Sequence, residues 1–406
     1  MRACLPRRAS AAVAAALLGL AASARAGGGG ATDTGERELL RAEADRFEAR
    51  VNARGLVYAD PQLTPYLDGL VSLLASQSTH PEIRYHAVVL NNPNDLAFVL
   101  QNGAIFVGAG AFVRLEDEAQ LALVLAQNIS RVELDHIVQQ SGAPGPEIGA
   151  RRAFFAAFGY ALPDLDTRGA LVAFSPDRTA AADRTGMAWI AQAGFATSSA
   201  SHVWSLLAPA AQYREQLANH LVQSGEIAAN PSGRNDAGRM RSATAAVALE
   251  SVRLALARER YDFALSGVER VRTRYGDSAL LCYYEGESLL RVAALPRDVV
   301  RAMEARNSGD RRDELPDLHA RRRLRAGVPP QLAQAEQSFR LALQRDPGLA
   351  AARSGLGEVQ LLKGDLAGAR ATLGEYLAAN PGAPDARLVE KMLASVGGSG
   401  DASAVP

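Results

Sequence analysis

Two stretches of this chain carry polar residues whose chemistry can be weighed. Gln127 and Arg131 lie in the stretch DEAQLALVLAQNISRVELDH (117–136), with Asn128 beside the first; Thr179 and Asp183 lie in FSPDRTAAADRTGMAWIAQAGF (174–195). A spacing of four puts both members of a pair on one helical face, one turn apart. The residue types serve metal chemistry poorly. Gln127 offers only a weakly binding amide oxygen, Arg131 has no lone pair to give and carries a positive charge, and Asn128 cannot accept a proton as a general base. Taken alone, QNISR reads as a polar patch on an amphipathic helix. The nearby groups that could bind a metal are His136, Asp183 and His220, with Asp135 and Asp177 as further carboxylates. His136, however, stands more than two turns beyond Gln127 and has no base next to it.

These residues must be positioned by helices next to a small sheet. Charged amphipathic helices are expected over ERELLRAEADRFEARVNAR and PQLTPYLDGLVSLLAS, then short strands at IRYHAVVL, LAFVL and AIFVG, then the helix that carries Gln127. His80, His86, His202 and His319 have no partner at ligand spacing and read as structural.

The segments around these residues resemble the HtpX-like and CAAX-protease-like zinc metallopeptidases. At 127–131 that family has H-E-x-x-H, two zinc-binding imidazoles and a glutamate base, where this chain has Gln127, Asn128 and Arg131. DLAFVLQNGAIFVGAGAF (95–112) keeps Ala97, Phe98, Leu100, Gly103, Ile105, Phe106 and Val107, and departs at Leu96, Gln101 and Asn102. The family's third zinc ligand, the first glutamate of an E-x-E-A-D run, corresponds to Thr179; the second glutamate is Ala181, while Asp183 and Gly186 remain. LANHLVQSGEI (217–227) keeps His220 and Ile227 of a fourth element and has Leu221 and Glu226 in place of the family's proline and arginine. The resemblance implies an α+β zincin-like domain, mainly helical with a small sheet. It also implies that Asp183 once oriented a ligand imidazole, and in this chain we expect it to pair with Arg131 or to accept from the Gln127 amide.

The chain has 406 residues, 48% of them hydrophobic, enough for two domains. Residues 1–26 read as a secretory leader: Arg2, Arg7 and Arg8, then AAVAAALLGLAA, then a small-x-small site at Ala24, Arg25 and Ala26. Its removal takes four arginines and no acid, leaving a formal charge of −4, which gives no reason to expect nucleic acid. Cys282 would then be the sole thiol, a buried small hydrophobe without a disulfide. A flexible linker is expected at 27–34, the metallopeptidase-like domain at 35–240, and a disordered tail at 397–406. Within the domain, the apolar FFAAFGY cluster of segment 143–173 reads as core packing.

From about 245 to 396 the texture is Ala/Leu/Arg-rich with a 34-residue period: Ala335, Phe339 and Pro347 recur as Ala369, Leu373 and Pro381. SGLGEVQLLKGDLAGARATLGEYLAANP resembles a tetratricopeptide repeat, and an earlier unit uses Ala264 and Gly286, all-α hairpins whose small residues let paired helices approach. A charge-dense insertion at about 294–330 interrupts them.

The expectation is an exported, periplasmic protein that is not an enzyme, with no cofactor where the family has zinc. It would bind a protein partner or unfolded envelope protein through its repeats and the former peptidase cleft, with membrane contact at most peripheral, in envelope quality control or assembly. The alternative is a zinc-dependent endopeptidase of the envelope using atypical ligands drawn from His136, Asp183 and His220.

Overall fold

A computed structural model describes residues 30–141, 174–207, 212–294 and 329–397. The expected leader, linker residues 27–29, the whole of segment 143–173, insertion residues 295–328 and the tail from 398 lie outside them. Linker residues 30–34 form the start of helix α1, Gly30–Ala53.

Helix α2, Leu63–Ala75, buries Leu63, Tyr66, Leu67, Leu70, Val71 and Leu74, the spacing of a single apolar stripe. Three short strands follow: β1 His86–Leu90, β2 Ala97–Val99 and β3 Ala104–Gly108. Their order is β1-β3-β2, with β1 parallel and β2 antiparallel to β3. Every residue of the central strand is buried, because both faces of the sheet are covered. Ala104 and Phe106 face Ala44, Phe47 and Val51 of α1, while Ile105 and Val107 join the main core with α2. Phe106 meets Phe47 edge-on at 5.3 Å and stacks with Phe98 at 4.9 Å between centroids.

After the short helix α3, Ala111–Arg114, comes the element that matters most, α4, Glu118–Glu133. Asp117 caps it by accepting from the Gln120 N–H at 2.9 Å. Every residue from Glu118 to Ser130 is buried, so α4 is a central helix and not the half-exposed amphipathic helix that QNISR suggests. It ends at Asp135, whose φ of 53° turns the chain into α5, His136–Ser141. Against it packs α6, Pro176–Gln192, capped by Ser175. The helices α7 Thr197–Ser201, α8 Val203–Leu207 and α9 Gln212–Gln223 close the unit.

The remainder is helical: α10 Ala237–Ala257, α11 Tyr261–Tyr275, α12 Ala279–Ala293, α13 Pro330–Arg345, α14 Ala350–Lys363, α15 Leu366–Ala379 and α16 Ala386–Gly397. Each packs on the next. Phe339 is fully buried between two glycines: a Cβ on Gly286 would lie 2.8 Å from its ring and one on Gly355 2.5 Å. Gly357 meets Leu373 in the same way, at 2.3 Å. The small-residue positions of the 34-residue pattern are thus the points where neighbouring helices close on a large side chain. Cys282 is buried and unpaired in this core.

Helix α10 runs unbroken through 240–245, where the first domain was expected to end and the second to begin. Met240 and Val247 belong to the main core, while Ala248 and Val252 join Val113, Val268 and Leu281 in a cluster shared with α11 and α12. Three arginines reinforce this junction. Arg258 donates to the Asn91 carbonyl at 2.8 Å and Arg260 to Asn94 Oδ1 at 3.1 Å; Arg274 donates to the carbonyls of Val113 and Arg114 at 3.2 Å each, and to that of Leu115. Arg274 therefore takes up carbonyls left open at the end of α3. No helix among the described residues is long and apolar enough to cross a membrane.

Candidate functional site

The site is the crossing of α4 and α6. Its closeness comes from Gly186: a Cβ there would stand 3.0 Å from the backbone nitrogen of Gln127 and 3.1 Å from its Cα. One turn on, the buried Ser130 hydroxyl sits between the Gln127 carbonyl at 2.8 Å and the Ala182 carbonyl at 2.9 Å, tying the two helices together. Gln127, Asn128, Thr179 and Asp183, which the family resemblance singles out from two segments some fifty residues apart, are all buried here.

Their individual environments differ from what metal chemistry requires. Asn128 turns away, its Nδ2 donating to the Val124 carbonyl at 2.8 Å. Thr179 lies near the start of α6 as a neutral hydroxyl. Asp183, fully buried, is held by both oxygens: Arg214 of α9 donates Nε to Oδ2 at 2.7 Å and Nη2 to Oδ1 at 2.6 Å. This fork matches the planar carboxylate in a bidentate ion pair. Arg214 in turn lies over the Trp204 ring, 3.3 Å from its centroid. The expectation that Asp183 pairs with Arg131 or Gln127 is thus corrected. A better-placed guanidinium reaches it from a third helix, a tertiary contact that no local spacing announces.

Arg131 instead stacks its guanidinium on Phe174, 4.0 Å from the ring centroid, and its buried Nη1 has no hydrogen-bond partner among the described residues. Burial, then repulsion from Arg214, lowers its pKa to about 10 against the pull of Asp183, so it remains a cation at neutral pH. The Gln127 Nε2 is likewise buried and without a partner among the described residues. His136 is 5% exposed, with its ring 6.0 Å from Phe174 and its Nδ1 also unpartnered there. Burial, reinforced by Arg131 and Arg178, pushes its pKa down to about 4, so the imidazole is neutral.

The other candidates lie apart from this cluster or are already engaged. His220 is exposed on α9, Asp177 is exposed in the first turn of α6, and Asp135 accepts from Arg37 at 2.6 Å. His80, His86 and His202 each sit against a carboxylate, of Glu82, Glu48 and Glu215 respectively.

Zinc, the metal of the resembled family, does not fit these residues. Only His136 offers a free neutral nitrogen, Asp183 has both oxygens committed, and the Arg131 cation would repel a dication. Among the described residues no three His, Cys, Asp or Glu side chains are grouped to hold a metal. Arg214, Phe174 and Trp204, which give this site its character, were missed in the sequence. An arginine in REQLANH carries no signal until the fold brings it to Asp183.

Comparison with known proteins adds a second kind of observation. Residues 330–393 match the tetratricopeptide repeat family. Over 214 residues the chain is 26% identical to the β-barrel assembly-enhancing protease of Escherichia coli (strain K12), a match covering 48% of this chain and 43% of that protein. It is 24% identical over 231 residues to the protein of the same name in Yersinia pestis, covering 52% of this chain and 46% of that one. A putative β-barrel assembly-enhancing protease of Vibrio cholerae is 24% identical over 197 residues, covering 45% and 40%. The matches thus span less than half the length of these relatives.

These relatives correct the expectation that the chain is not an enzyme, because the proteins it is similar to are named as proteases. The physical reason is one of reach. The side chains at 127, 128, 131 and 179 speak against one particular ligand set and its base, and a missing ligand set does not by itself establish inactivity.

Proposed function

We propose that this chain acts in the cell envelope on polypeptides destined to become β-barrels, as a protease-type protein whose peptidase-like unit works beside a helical-repeat array that holds the client or a partner protein. The observation that carries this reading is the similarity to several relatives that share the name β-barrel assembly-enhancing protease. The tetratricopeptide match at 330–393 supports a protein-binding role for the C-terminal helices, since stacked helical pairs present extended surfaces to partners. The arginine contacts at the junction support the two parts acting as one body.

In this reading the first unit is zincin-like, of the kind shared by HtpX-like and CAAX-protease-like peptidases, and the protein is periplasmic. Hydrolysis by this chain has to draw on groups other than the four motif positions, which supply neither three ligands nor a base.

The test is to dilute a denatured outer-membrane β-barrel protein into buffer containing the full chain and to follow complex formation by fluorescence anisotropy. Gel analysis of the same mixture, with and without chelator, follows cleavage. The reading predicts saturable binding of the unfolded barrel protein and little binding of the same protein once folded. A chain that neither binds nor cleaves the unfolded protein contradicts it.

A further inference from the structure

The residues that make zinc a poor fit form a pattern of their own. Gln127 and Arg131 lie one turn apart on a helix buried from Glu118 to Ser130, and His136 begins the next helix against the same Phe174 ring. Each has a buried polar nitrogen without a hydrogen-bond partner among the described residues: Nε2, Nη1 and Nδ1. A buried polar atom left unpaired is costly, and a buried unpaired cation more so. Two features limit what could satisfy all three. First, Phe174 covers a face of the Arg131 guanidinium at 4.0 Å, so further bonds to it must form in its plane, the direction in which it meets a planar two-oxygen acceptor. Second, the charge does not balance. Arg131 is repelled by Arg214 while the nearby carboxylate, Asp183, has both oxygens engaged by Arg214, so among the described residues Arg131 has no carboxylate bonded to it.

The geometry points to a carboxylate-binding site at the α4–α6 crossing, in which a carboxylate accepts from Arg131 Nη1 and Gln127 Nε2, with His136 Nδ1 beside them as a third donor in the tautomer that carries its proton there. A monoanion of this shape neutralises the remaining charge and pairs the buried donors. The position that holds a dication in the resembled peptidases would then hold an anion. The carboxylate chemistry stands on these residues alone. Its source in a polypeptide, either the chain terminus or an acidic side chain, rests on the proposed role in β-barrel assembly.

The experiment uses the full chain and three short fluorescent peptides of one sequence: one with a free C-terminus, one amidated, and one amidated with a single internal glutamate. Acetate against chloride at equal ionic strength, read as a shift in melting temperature, tests the carboxylate alone. The site predicts that acetate raises the melting temperature of the natural chain and not that of Arg131→Gln. It also predicts that at least one carboxylate-bearing peptide binds about ten-fold tighter than the plain amide, a preference lost in Arg131→Gln and weakened in Gln127→Leu. Which of the two peptides shows the preference assigns the source. Arg131→Gln removes an unpaired buried charge, so it should fold at least as stably as the natural chain, and circular dichroism checks this. Equal affinity for all three peptides together with no acetate effect overturns the proposal, as does a carboxylate preference that survives Arg131→Gln. An acetate effect without any peptide binding keeps the carboxylate site and removes its polypeptide source, and with it the support this site gives to the assembly role.

Discussion

At the scale of single residues, what distinguishes this protein is a close helix crossing lined with buried polar and charged side chains. Gly186 brings α6 onto the backbone of Gln127, and the fully buried Asp183 is paired with Arg214. His136 gives this environment a measurable signature. Its folded pKa, near 4, lies below the ordinary 6.5 because burial and two arginines oppose its charge. Above pH 6.5 the ring is neutral in both folded and unfolded chains and contributes nothing. As pH falls from 6.5 to 4 the unfolded chain takes up a proton that the folded chain refuses, so stability is lost across that window. The loss has an upper bound of roughly 3 kcal/mol. Urea titrations between pH 7.5 and 4 should therefore show a shallower decline for His136→Phe than for the natural chain, while the paired carboxylates decline equally in both. Parallel curves would place His136 in contact with water.

At the scale of elements, much was legible and some could not be. The three apolar runs at 83–108 do become strands, and the 34-residue period does become helical hairpins, because both signals are periodicities that burial enforces locally. The parallel pairing of β1 with β3 was not legible, since it depends on a crossover that no strand records in its own sequence. Nor was the burial of α4 from Glu118 to Ser130, whose polar residues look like a solvated face until α6 covers them. The bidentate grip of Arg214 on Asp183 belongs to the same class, as a contact between separate helices. The Gly286–Phe339–Gly355 contact offers a direct test of the repeat packing. A methyl group at Gly355 would sit 2.5 Å from the Phe339 ring, which is enclosed and cannot swing away. Gly355→Ala should cost about 1–3 kcal/mol by overpacking, and Phe339→Leu in that background should restore part of it. Equilibrium unfolding of the full chain by urea measures both, and an unchanged midpoint for Gly355→Ala would mean that the helices are not seated as described.

At the scale of the whole molecule, the junction decides how the parts can cooperate. Helix α10 belongs to both cores, and Arg258, Arg260 and Arg274 fasten the first repeat helices to the loops and carbonyls around β1, β2 and α3. In the proposed role, a client held on the repeats would lie on a body joined to the first unit by these contacts, an arrangement suited to handling one polypeptide at two places. The central claim is that this handling promotes β-barrel assembly, and the most direct measurement is the rate of that assembly. An unfolded β-barrel precursor is added to membranes carrying the outer-membrane insertion machinery, with and without the full chain, and the folded barrel is followed over time by its heat-modifiable mobility on gels. The account predicts that the folded form accumulates faster when the chain is present and that Gly355→Ala, which disturbs the repeat packing, weakens the effect. A rate that is the same with and without the chain, under conditions where the precursor is otherwise competent to fold, would contradict it.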